Sequence, residues 1–322
     1  MHLIPEITVL DIQRMYTEDG PGLRTTVFLK GCNLHCAWCH NPESIDARPI
    51  VQWNRVKCIG CDSCRSICEN RALVRGDSGI SIDGGQCVLC LACVRECPSG
   101  ALRVRGERFE GPELLKELLK DRAYFGEEGG ITLSGGEPLM QAEAVLWLLR
   151  ELKKEGLQTA LDTAGLVPMK KLFEALAYTD LLLYDIKLID SMLHKKHTGS
   201  GNEQILENLK QVVLILNKNG QKLWIRTPII PGATASMENI AAIGAFIAES
   251  LADTVERWEL CAFNNLCKSK YDLAGLDWLY KDATLIPKAE MERLTQKAAE
   301  KVKGTGVAVL WTGATASEAE EE

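Results

Sequence analysis

The chain repeats a unit in which a short apolar run is followed by a longer stretch that is apolar on one face. Continuous apolar runs predict buried strands, and we place them at residues 25–29, 131–133, 157–161, 181–186, 223–225, 257–261 and 307–310. Apolar residues recurring every three or four positions predict helices, at residues 141–155, 169–177, 203–218, 238–251 and 287–303. Strands that alternate with helices predict an α/β fold with a parallel sheet and right-handed crossovers.

Polar residues and glycines follow several of these predicted strands. Ligands of parallel α/β sheets bind at the carboxyl ends of the strands, so these positions are candidate binding residues. They are Gly135, Gly136 and Glu137 after the strand at 131–133, Asp162 and Thr163 after 157–161, Asp185 in and Lys187 after 181–186, and Arg226 after 223–225.

Each group of candidates also has a plainer interpretation. The Gly135-Gly136 pair lets a backbone approach a ligand closely, although such a pair also forms ordinary turns. Alternation places Asp185 and Lys187 on the same side of their strand, where they either bind a ligand or form a buried salt bridge. Arg226 offers a planar, permanent charge that suits a carboxylate.

Composition restricts the class of protein. The chain has 322 residues, with 37 Lys and Arg against 44 Asp and Glu, which gives a formal net charge of −7. This mild acidity argues against nucleic acid and anionic membranes as main partners. No apolar run reaches the roughly 18 residues of a membrane span. The N-terminus lacks the features of a signal peptide, so we expect a cytoplasmic protein.

Cysteine is the residue type that departs from ordinary composition. An odd total of 13 Cys, without an export signal, favours metal binding over a disulfide scaffold. Eleven form three groups: Cys32, Cys36 and Cys39; Cys58, Cys61, Cys64 and Cys68; and Cys87, Cys90, Cys93 and Cys97. We interpret the other two, Cys261 and Cys267, as a core thiol and a loop thiol, with a redox or partner-docking role as the alternative.

The second and third groups share the spacing C-x2-C-x2-C-x3-C, which is that of bacterial two-cluster ferredoxins. In that arrangement the fourth Cys of each run ligates the other cluster. The spacing therefore predicts one 4Fe–4S cluster on Cys58, Cys61, Cys64 and Cys97, and a second on Cys68, Cys87, Cys90 and Cys93. A pair of zinc sites is the alternative, but zinc knuckles use two separated C-x-x-C pairs.

The first group, spaced C-x3-C-x2-C, contains only three Cys. Three thiolates on a 4Fe–4S cluster leave one iron without a protein ligand, and an open coordination position is where a metal performs chemistry. The alternative is a zinc site completed by His35 or His40.

Residues 53–106, which contain the second and third groups, carry eight basic and five acidic side chains. This local positive charge offsets the negative charge of thiolate-ligated clusters, and it favours docking of an acidic electron donor. Ordinary scatter of surface charge is the alternative.

The residues around the first group extend this interpretation. Residues 19–43 read DGPGLRTTVFLKGCNLHCAWCHNPE, and the stretch resembles the radical S-adenosylmethionine (SAM) enzymes. The C-x3-C-x2-C spacing is common to that superfamily. The flanking D-G-P-G-x-R-T and W-C-H-N-P-E are more specific and resemble the glycyl-radical-enzyme activating enzymes, typified by pyruvate formate-lyase activase. The resemblance covers about residues 19–271, and the two-cluster segment is like that of the larger members.

The resemblance implies a fold and a domain organisation. It implies a partial (β/α)6 TIM-type barrel formed by residues 1–48 and 107–322. A ferredoxin-like insert with two 4Fe–4S clusters would occupy residues 49–106. The acidic end of the chain, about residues 314–322, is predicted to be disordered, and we expect a monomer.

The resemblance also implies a reaction. SAM would chelate the open iron of the first cluster, and its reductive cleavage would give methionine and a 5′-deoxyadenosyl radical. That radical would abstract hydrogen from a glycine of a partner glycyl radical enzyme, so the cofactor carries the radical chemistry and the protein supplies placement. The implied cofactors are SAM and three 4Fe–4S clusters, one catalytic and two auxiliary. Flavodoxin or ferredoxin is the implied electron donor.

The family's binding roles carry over to positions of this sequence that match its motifs. They are Gly135, Gly136 and Glu137 for the methionine amino group of SAM, Asp185 for the ribose, Lys187 and Arg226 for the carboxylate, Trp38 beside the adenine, and Asn264 or Asn265 in place of a ribose-contacting His. Asp162 and Thr163, with Asp185, resemble a monovalent-cation site beside SAM. Two positions depart from the family, since Ala164 replaces a frequent Asn and Ala235 a frequent Asp.

Two other functions fit parts of the pattern. A radical SAM peptide maturase also carries auxiliary clusters, but usually with its extra Cys towards the C-terminus. A ferredoxin-type electron-transfer protein needs the two-cluster segment, but neither an open iron nor a Gly-Gly-Glu-Pro loop. Spectroscopy distinguishes these functions, because the clusters of a pure electron-transfer protein would show no change when SAM is added.

Overall fold

The computed structural model describes residues 4–77, 79–251 and 253–316. The strands are β1 (Glu6–Tyr16), β2 (Arg24–Leu29), β3 (Ile50–Trp53), β4 (Leu73–Gly76), β5 (Gly79–Ile82), β6 (Leu102–Arg105), β7 (Glu107–Glu110), β8 (Gly130–Gly135), β9 (Gln158–Thr163), β10 (Leu181–Asp185), β11 (Lys222–Ile229), β12 (Val255–Ala262) and β13 (Ala308–Thr312). The helices are α1 (Ser63–Ser66), α2 (Ala92–Arg95), α3 (Gly111–Leu119), α4 (Ala142–Lys154), α5 (Met169–Leu176), α6 (Ser191–Thr198), α7 (Glu203–Asn219), α8 (Met237–Ser250), α9 (Lys268–Ala274) and α10 (Lys288–Lys301).

The main element is a nine-stranded sheet in the order β13-β12-β11-β10-β9-β8-β2-β1-β7. The strands from β13 to β2 pair in parallel, whereas β1 pairs antiparallel with both β2 and β7. Each of the seven strands expected from the apolar runs is present, and these seven form the parallel part. The predicted α/β class with a large parallel sheet is confirmed.

The sequence pattern does not predict the two antiparallel strands. β1 buries Ile7 and Val9, but most of its other side chains are exposed or half-buried. Its pairing with β2 shifts register twice, and Met15 adopts a positive φ of 56°. These irregularities interrupt the strict alternation by which a half-buried strand is identified.

The five predicted helices correspond to α4, α5, α7, α8 and α10, with ends within two residues of those expected. The pattern does not predict α3, α6 or α9. These three are short, and α9 contains one buried residue, Tyr271. A helix of about two turns presents too few apolar positions for its periodicity to be recognised.

The sheet is strongly curved, because residues from distant strands meet across one space. Oδ1 of Asp19, which precedes β2, lies 3.0 Å from Nη1 of Arg226 on β11. β2 and β11 are four strands apart in the order of the sheet. In a flat sheet this spacing would separate them by about 19 Å. Trp278, beyond β12, donates from Nε1 to the carbonyl oxygen of Ala37, after β2, at 3.1 Å. The carboxyl ends of the parallel strands therefore surround a shared cavity.

The segment between Ile50 and Arg105 leaves the main fold and returns to it at one place. Its first and last strands, β3 and β6, pair antiparallel with Ile50 opposite Arg105, and β4 pairs with β5 between them. Helices α1 and α2 each lie inside one of the four-Cys groups. The segment has a small core of its own, made of Val51, Leu73, Ile80, Cys93 and Leu102.

The C-terminal end is ordered further than its composition predicts. The backbone nitrogen of Ala316 donates to the carbonyl oxygen of Ile286 at 3.0 Å, and Ala316 bridges Pro287. Ala316, near the start of the stretch predicted to be disordered, is thus paired with the residues before α10. Residues 317–322, the rest of the predicted tail, lie outside the described residues. Within the described part of the chain, no helix combines the length and apolarity that crossing a bilayer requires.

Candidate active site

A cavity of about 300 Å³ opens at the carboxyl ends of the parallel strands. Its wall includes the three thiols of the first Cys group and side chains from the ends of β8, β9, β10, β11 and β12. Its lining residues are Cys32, Leu34, Cys36, Trp38, Cys39, His40, Asn41, Ser44, Ser134, Gly135, Gly136, Asp162, Thr163, Ala164, Asp185, Lys187, Arg226, Pro228, Ile230, Cys261, Ala262 and Phe263. A volume of this size is typical of small-molecule and cofactor sites.

The loop that carries the three Cys is held by backbone hydrogen bonds from two sides. The backbone nitrogen of Cys32 donates to Ile45, and those of His35 and Ala37 donate to Thr198 and His197 at the end of α6. Burial raises the pKa of the Cys32 thiol to about 11 and also raises the pKa of Cys36 and Cys39. Because the thiolate is the metal ligand, metal binding at this loop must release protons.

Two glycines at the end of β8 are required by the close approach of other backbones, that of β2 at Gly135 and that of the Cys loop at Gly136. A Cβ on Gly135 would lie 2.2 Å from the backbone nitrogen of Leu29, and Gly135 also has a φ of +113°. A Cβ on Gly136 would lie 2.3 Å from the carbonyl oxygen of Gly31 and 3.2 Å from Cβ of Cys32. The glycines therefore let two backbones meet at the cavity wall.

Glu137, although predicted as a binding residue, does not line the cavity. Its side chain is fully buried and accepts hydrogen bonds from Oγ1 of Thr163 at 2.8 Å and from the backbone nitrogens of Ala164 and Leu139 at 3.1 Å. Burial raises the pKa of its carboxyl, while these hydrogen bonds oppose the shift. Glu137 thus fastens the end of β9 to the loop after β8.

Arg226 is surrounded by three carboxylates. Its Nη1 lies 3.0 Å from Oδ1 of Asp19 and 3.5 Å from Oδ2 of Asp162, and its Nε lies 3.4 Å from Oε2 of Glu259. The sequence pattern does not assign Asp19 or Glu259 to the site. Glu259 lies three residues before the end of β12 and carries no motif that marks it.

Asp162 and Asp185 form the acidic part of the cavity wall. Ser134 donates from Oγ to Oδ2 of Asp162 at 2.6 Å, and Lys187 forms an ion pair with Asp185. Burial raises the pKa of the Asp162 carboxyl to about 7, against the attraction of Arg226 and with the help of nearby acidic groups. The salt bridge predicted as the plainer interpretation of Asp185 and Lys187 is therefore present, and the pair lies on the cavity wall.

The aromatic part of the wall comes from both ends of the sheet. Trp38 is buried, with its ring centroid 6.2 Å from that of His197. His40 makes an edge contact with Phe263, at 6.5 Å between ring centroids. Asn264 does not line the cavity, since its Oδ1 accepts from the backbone nitrogen of Leu266 at 3.2 Å. Asn265 also turns away and donates to the carbonyl oxygen of Ala283.

Eight of the ten predicted cofactor-binding residues therefore line one cavity, and Glu137 and Asn264 do not. Phe263 and Cys261 also line it, although their sequence context did not mark them. Burial raises the pKa of the Cys261 thiol to about 11. Cys267, by contrast, does not line the cavity. Its sulfur lies 3.9 Å from the carbonyl oxygen of Cys39 in the Cys loop.

The other eight grouped Cys line two small cavities in the segment between Ile50 and Arg105. One cavity is lined by Cys58, Cys61, Cys64 and Cys97. The other is lined by Cys68, Cys87, Cys90 and Cys93. These are the two sets that the repeated spacing predicts, with the fourth Cys of each run exchanged. Four thiols around one cavity suit a 4Fe–4S cluster.

The chain is similar to known proteins in both sequence and fold. A family profile described as "4Fe-4S single cluster domain" matches residues 18–206. The (2S)-3-sulfopropanediol dehydratase activating enzyme of Klebsiella oxytoca is 36% identical over 95% of this chain and 97% of its own length. The trans-4-hydroxy-L-proline dehydratase activating enzyme of Clostridioides difficile is 35% identical over 92% and 93%. A radical SAM methyltransferase from Sphaerobacter thermophilus shares the fold, with a TM-score of 0.52 at 14% identity over 94% of this chain and 69% of that one.

Proposed function

The chain belongs to the activating enzymes of glycyl radical enzymes, and from this premise we propose that its three-Cys cavity binds a 4Fe–4S cluster together with SAM. The protein is then a radical-generating oxidoreductase whose substrate is a glycine in a partner glycyl radical enzyme. The observation that carries this proposal is the single cavity in which three thiols, Gly135-Gly136, Asp185-Lys187 and Arg226 meet. Alone, each of these features has a plainer interpretation.

The donor set fits the implied groups. Cys32, Cys36 and Cys39 would hold three irons of the cluster, and no fourth thiol of the loop competes for the last iron. When bound, the cluster and SAM supply a 5′-deoxyadenosyl radical and methionine through transfer of one electron to SAM. What the chain contributes is the placement of SAM.

The charges of the wall complement the methionine part of SAM. Lys187 and Arg226 would attract its carboxylate, while the backbone groups of Gly135 and Gly136 at the cavity wall suit its ammonium group. The Asp185 carboxylate suits the hydroxyl groups of the ribose. Trp38 would pack beside the adenine. Because Arg226 is already held by Asp19 and Glu259, its guanidinium is positioned before the ligand arrives.

One further element of the cavity stays a proposal. A monovalent cation beside SAM would use the Asp162 and Asp185 carboxylates and the Thr163 hydroxyl, which lie on the same wall. Asn264 would have to rotate away from Leu266 before it contacts the ribose, so we assign it no contact.

We further propose that residues 49–106 form a ferredoxin-like domain inserted into a partial (β/α)6 barrel of residues 1–48 and 107–322. The curvature of the sheet and the separate core of the segment support this division. Two auxiliary 4Fe–4S clusters would occupy the two four-Cys cavities, which gives three clusters in total. Flavodoxin or ferredoxin would supply electrons to a monomeric, cytoplasmic enzyme.

The test is an anaerobic assay of the reconstituted, reduced protein with SAM. We expect 5′-deoxyadenosine and methionine, formed faster when a peptide with the glycine loop of a glycyl radical enzyme is present. The Cys36→Ala variant is the control and should form neither. Cleavage without stimulation by any glycine-loop peptide would contradict the substrate, and no cleavage by protein with reduced clusters would contradict the reaction.

A further inference from the structure

The two halves of the four-Cys repeat carry different charge. Residues 54–68 contain three basic side chains and one acidic one, whereas the equivalent residues 83–97 contain one basic and two acidic. The positions of Arg55 and Lys57 in the first half are occupied by Gly84 and Gln86 in the second. Because both halves have the same thiol spacing, this difference is not explained by cluster binding alone.

In the first half, the positive charge surrounds an exposed thiol. Cys61 is exposed, and its neighbour Asp62 is bridged by both Arg65, at 3.3 Å, and Arg75, at 2.8 Å. Two guanidinium groups against one carboxylate leave a positive excess here. Arg55 and Lys57 add to it, because both are exposed and neither has an acidic side chain within 4.0 Å among the described residues.

The same stretch also exposes two apolar side chains. Val56 is 95% exposed and Ile59, between Cys58 and Cys61, is 69% exposed. Weak, transient redox complexes use small interfaces of this kind, in which a few apolar contacts are surrounded by charges that guide the encounter. We call the six residues Arg55, Val56, Lys57, Ile59, Arg65 and Arg75 the basic patch.

The second half faces the main fold instead. A groove of about 1140 Å³ separates the segment from α9, and Cys87 and Leu89 line it on one side while Asp272 and Leu276 line it on the other. Arg55 and Val56 stand at the edge of this groove. Helix α9 also contacts the loop of Cys32, Cys36 and Cys39, which we call the catalytic loop. Tyr271 of this helix donates to the carbonyl oxygen of Cys39.

From this asymmetry we propose that the basic patch docks a small acidic one-electron carrier protein, and that electrons reach the four-thiol site of Cys58, Cys61, Cys64 and Cys97 first. Of the two four-thiol sites, only that of Cys68, Cys87, Cys90 and Cys93 contributes a thiol, Cys87, to the groove beside α9, so electrons would pass through it to the three-Cys loop. The reduced carrier loses one electron and the first cluster gains it, and no proton or group moves. The proposal rests on the proposed function, because it needs the auxiliary clusters to be present.

The test measures binding of purified acidic flavodoxin to the reconstituted full-length protein by calorimetry, at low and at physiological ionic strength. The test variant is Arg55→Glu with Lys57→Glu, two exposed positions whose side chains hold no part of the fold. The control variant is Lys170→Glu with Lys288→Glu, which changes net charge equally on exposed helix positions outside the segment. SAM cleavage driven by dithionite, which needs no docking, is measured for all three proteins.

We expect the test variant to bind flavodoxin about tenfold more weakly or worse at low ionic strength, with a smaller dependence on salt. Its dithionite-driven SAM cleavage should equal that of the wild type, and the control variant should bind normally. Unchanged binding by the test variant, or equal weakening in the control, would overturn the proposal. So would loss of binding to the glycyl radical partner instead of to flavodoxin. Absence of dithionite-driven cleavage in the wild type would overturn the proposed function, whatever the binding results.

Discussion

Tyr271 donates its phenolic hydrogen to the backbone carbonyl oxygen of Cys39, with 2.9 Å between the oxygens. Its ring stacks on that of Trp278, at 5.0 Å between centroids, and Trp278 donates to the carbonyl oxygen of Ala37. A segment between β12 and β13, near the C-terminal end of the chain, thus fixes a loop that lies near its start. The catalytic loop depends on this distant segment for its shape.

We therefore predict that Tyr271→Phe loosens the catalytic cluster. Loss of the hydrogen bond should cost about 0.5–1.5 kcal/mol of local stability. In the reconstituted protein, a chelator should then remove the iron of the catalytic loop faster, while the auxiliary iron is removed at the wild-type rate. Tyr280→Phe is the matched control, because among the described residues the Tyr280 hydroxyl makes no hydrogen bond although its ring packs in the same cluster. Equal rates in both variants would contradict the role of the Tyr271 hydroxyl.

Cys36→Ala should remove about one third of the bound iron and abolish SAM cleavage, because the three-Cys loop then lacks a ligand. Iron analysis and the 5′-deoxyadenosine assay measure the two effects. Cys267→Ala, which removes a thiol beside the same loop without removing a predicted ligand, should retain the full iron content. Retention of all iron by the Cys36→Ala variant would show that this loop binds no cluster.

Glu137→Gln should destabilise the fold by about 1–3 kcal/mol, because an amide nitrogen then faces donors that a buried carboxylate satisfies. SAM binding should weaken as well, although Glu137 does not line the cavity, since the ends of β8 and β9 lose their common anchor. Chemical denaturation and a SAM titration separate the two effects. A variant with normal stability and weakened SAM binding would instead mean that Glu137 contacts the ligand directly.

The stability of the fold should fall on mild acidification, in part through His194. Burial lowers the pKa of this side chain below its ordinary value of 6.5, against the raising effect of its bond to the Ser200 carbonyl. The unfolded chain therefore binds a proton at His194 at a higher pH than the folded chain does. The contribution of neutral His194 to the free energy of unfolding is present above pH 6.5 and is lost as the pH falls below it. His194→Gln should flatten the dependence of the melting temperature on pH in this range. His197→Gln, at a less buried ring whose pKa is also lowered by burial, should flatten it less.

The sequence predicts the parallel strands and most of the cavity wall, because both follow from short-range patterns. Buried strands are continuous apolar runs, and binding residues follow them directly, as Asp162 and Asp185 do. The direction in which a side chain points is not predicted by short-range patterns, because it depends on groups that are distant in sequence. Glu137 turns inward because Thr163 and Ala164 lie there.

The residues that support the site are harder to predict than those that line it. Asp19 pairs with Arg226 across 207 positions of sequence, and only the curvature of the sheet brings them together. Asn264 is placed by a local bond to the backbone of Leu266, which competes with any contact to a ligand. The irregular strand β1 and the short helix α9 lack the periodicity that identifies an element.

The pairing of Ile50 with Arg105 has a consequence for how this architecture arises. Since the two ends of the segment are neighbours, a gene that lacked its codons would encode a chain in which a short turn joins the same two points. Loop closure of that kind costs little, because the closing entropy depends only weakly on the length removed. Addition or loss of the eight-thiol segment is thus a single genetic event that leaves the order of the large sheet unchanged, so the segment and the sheet can evolve separately.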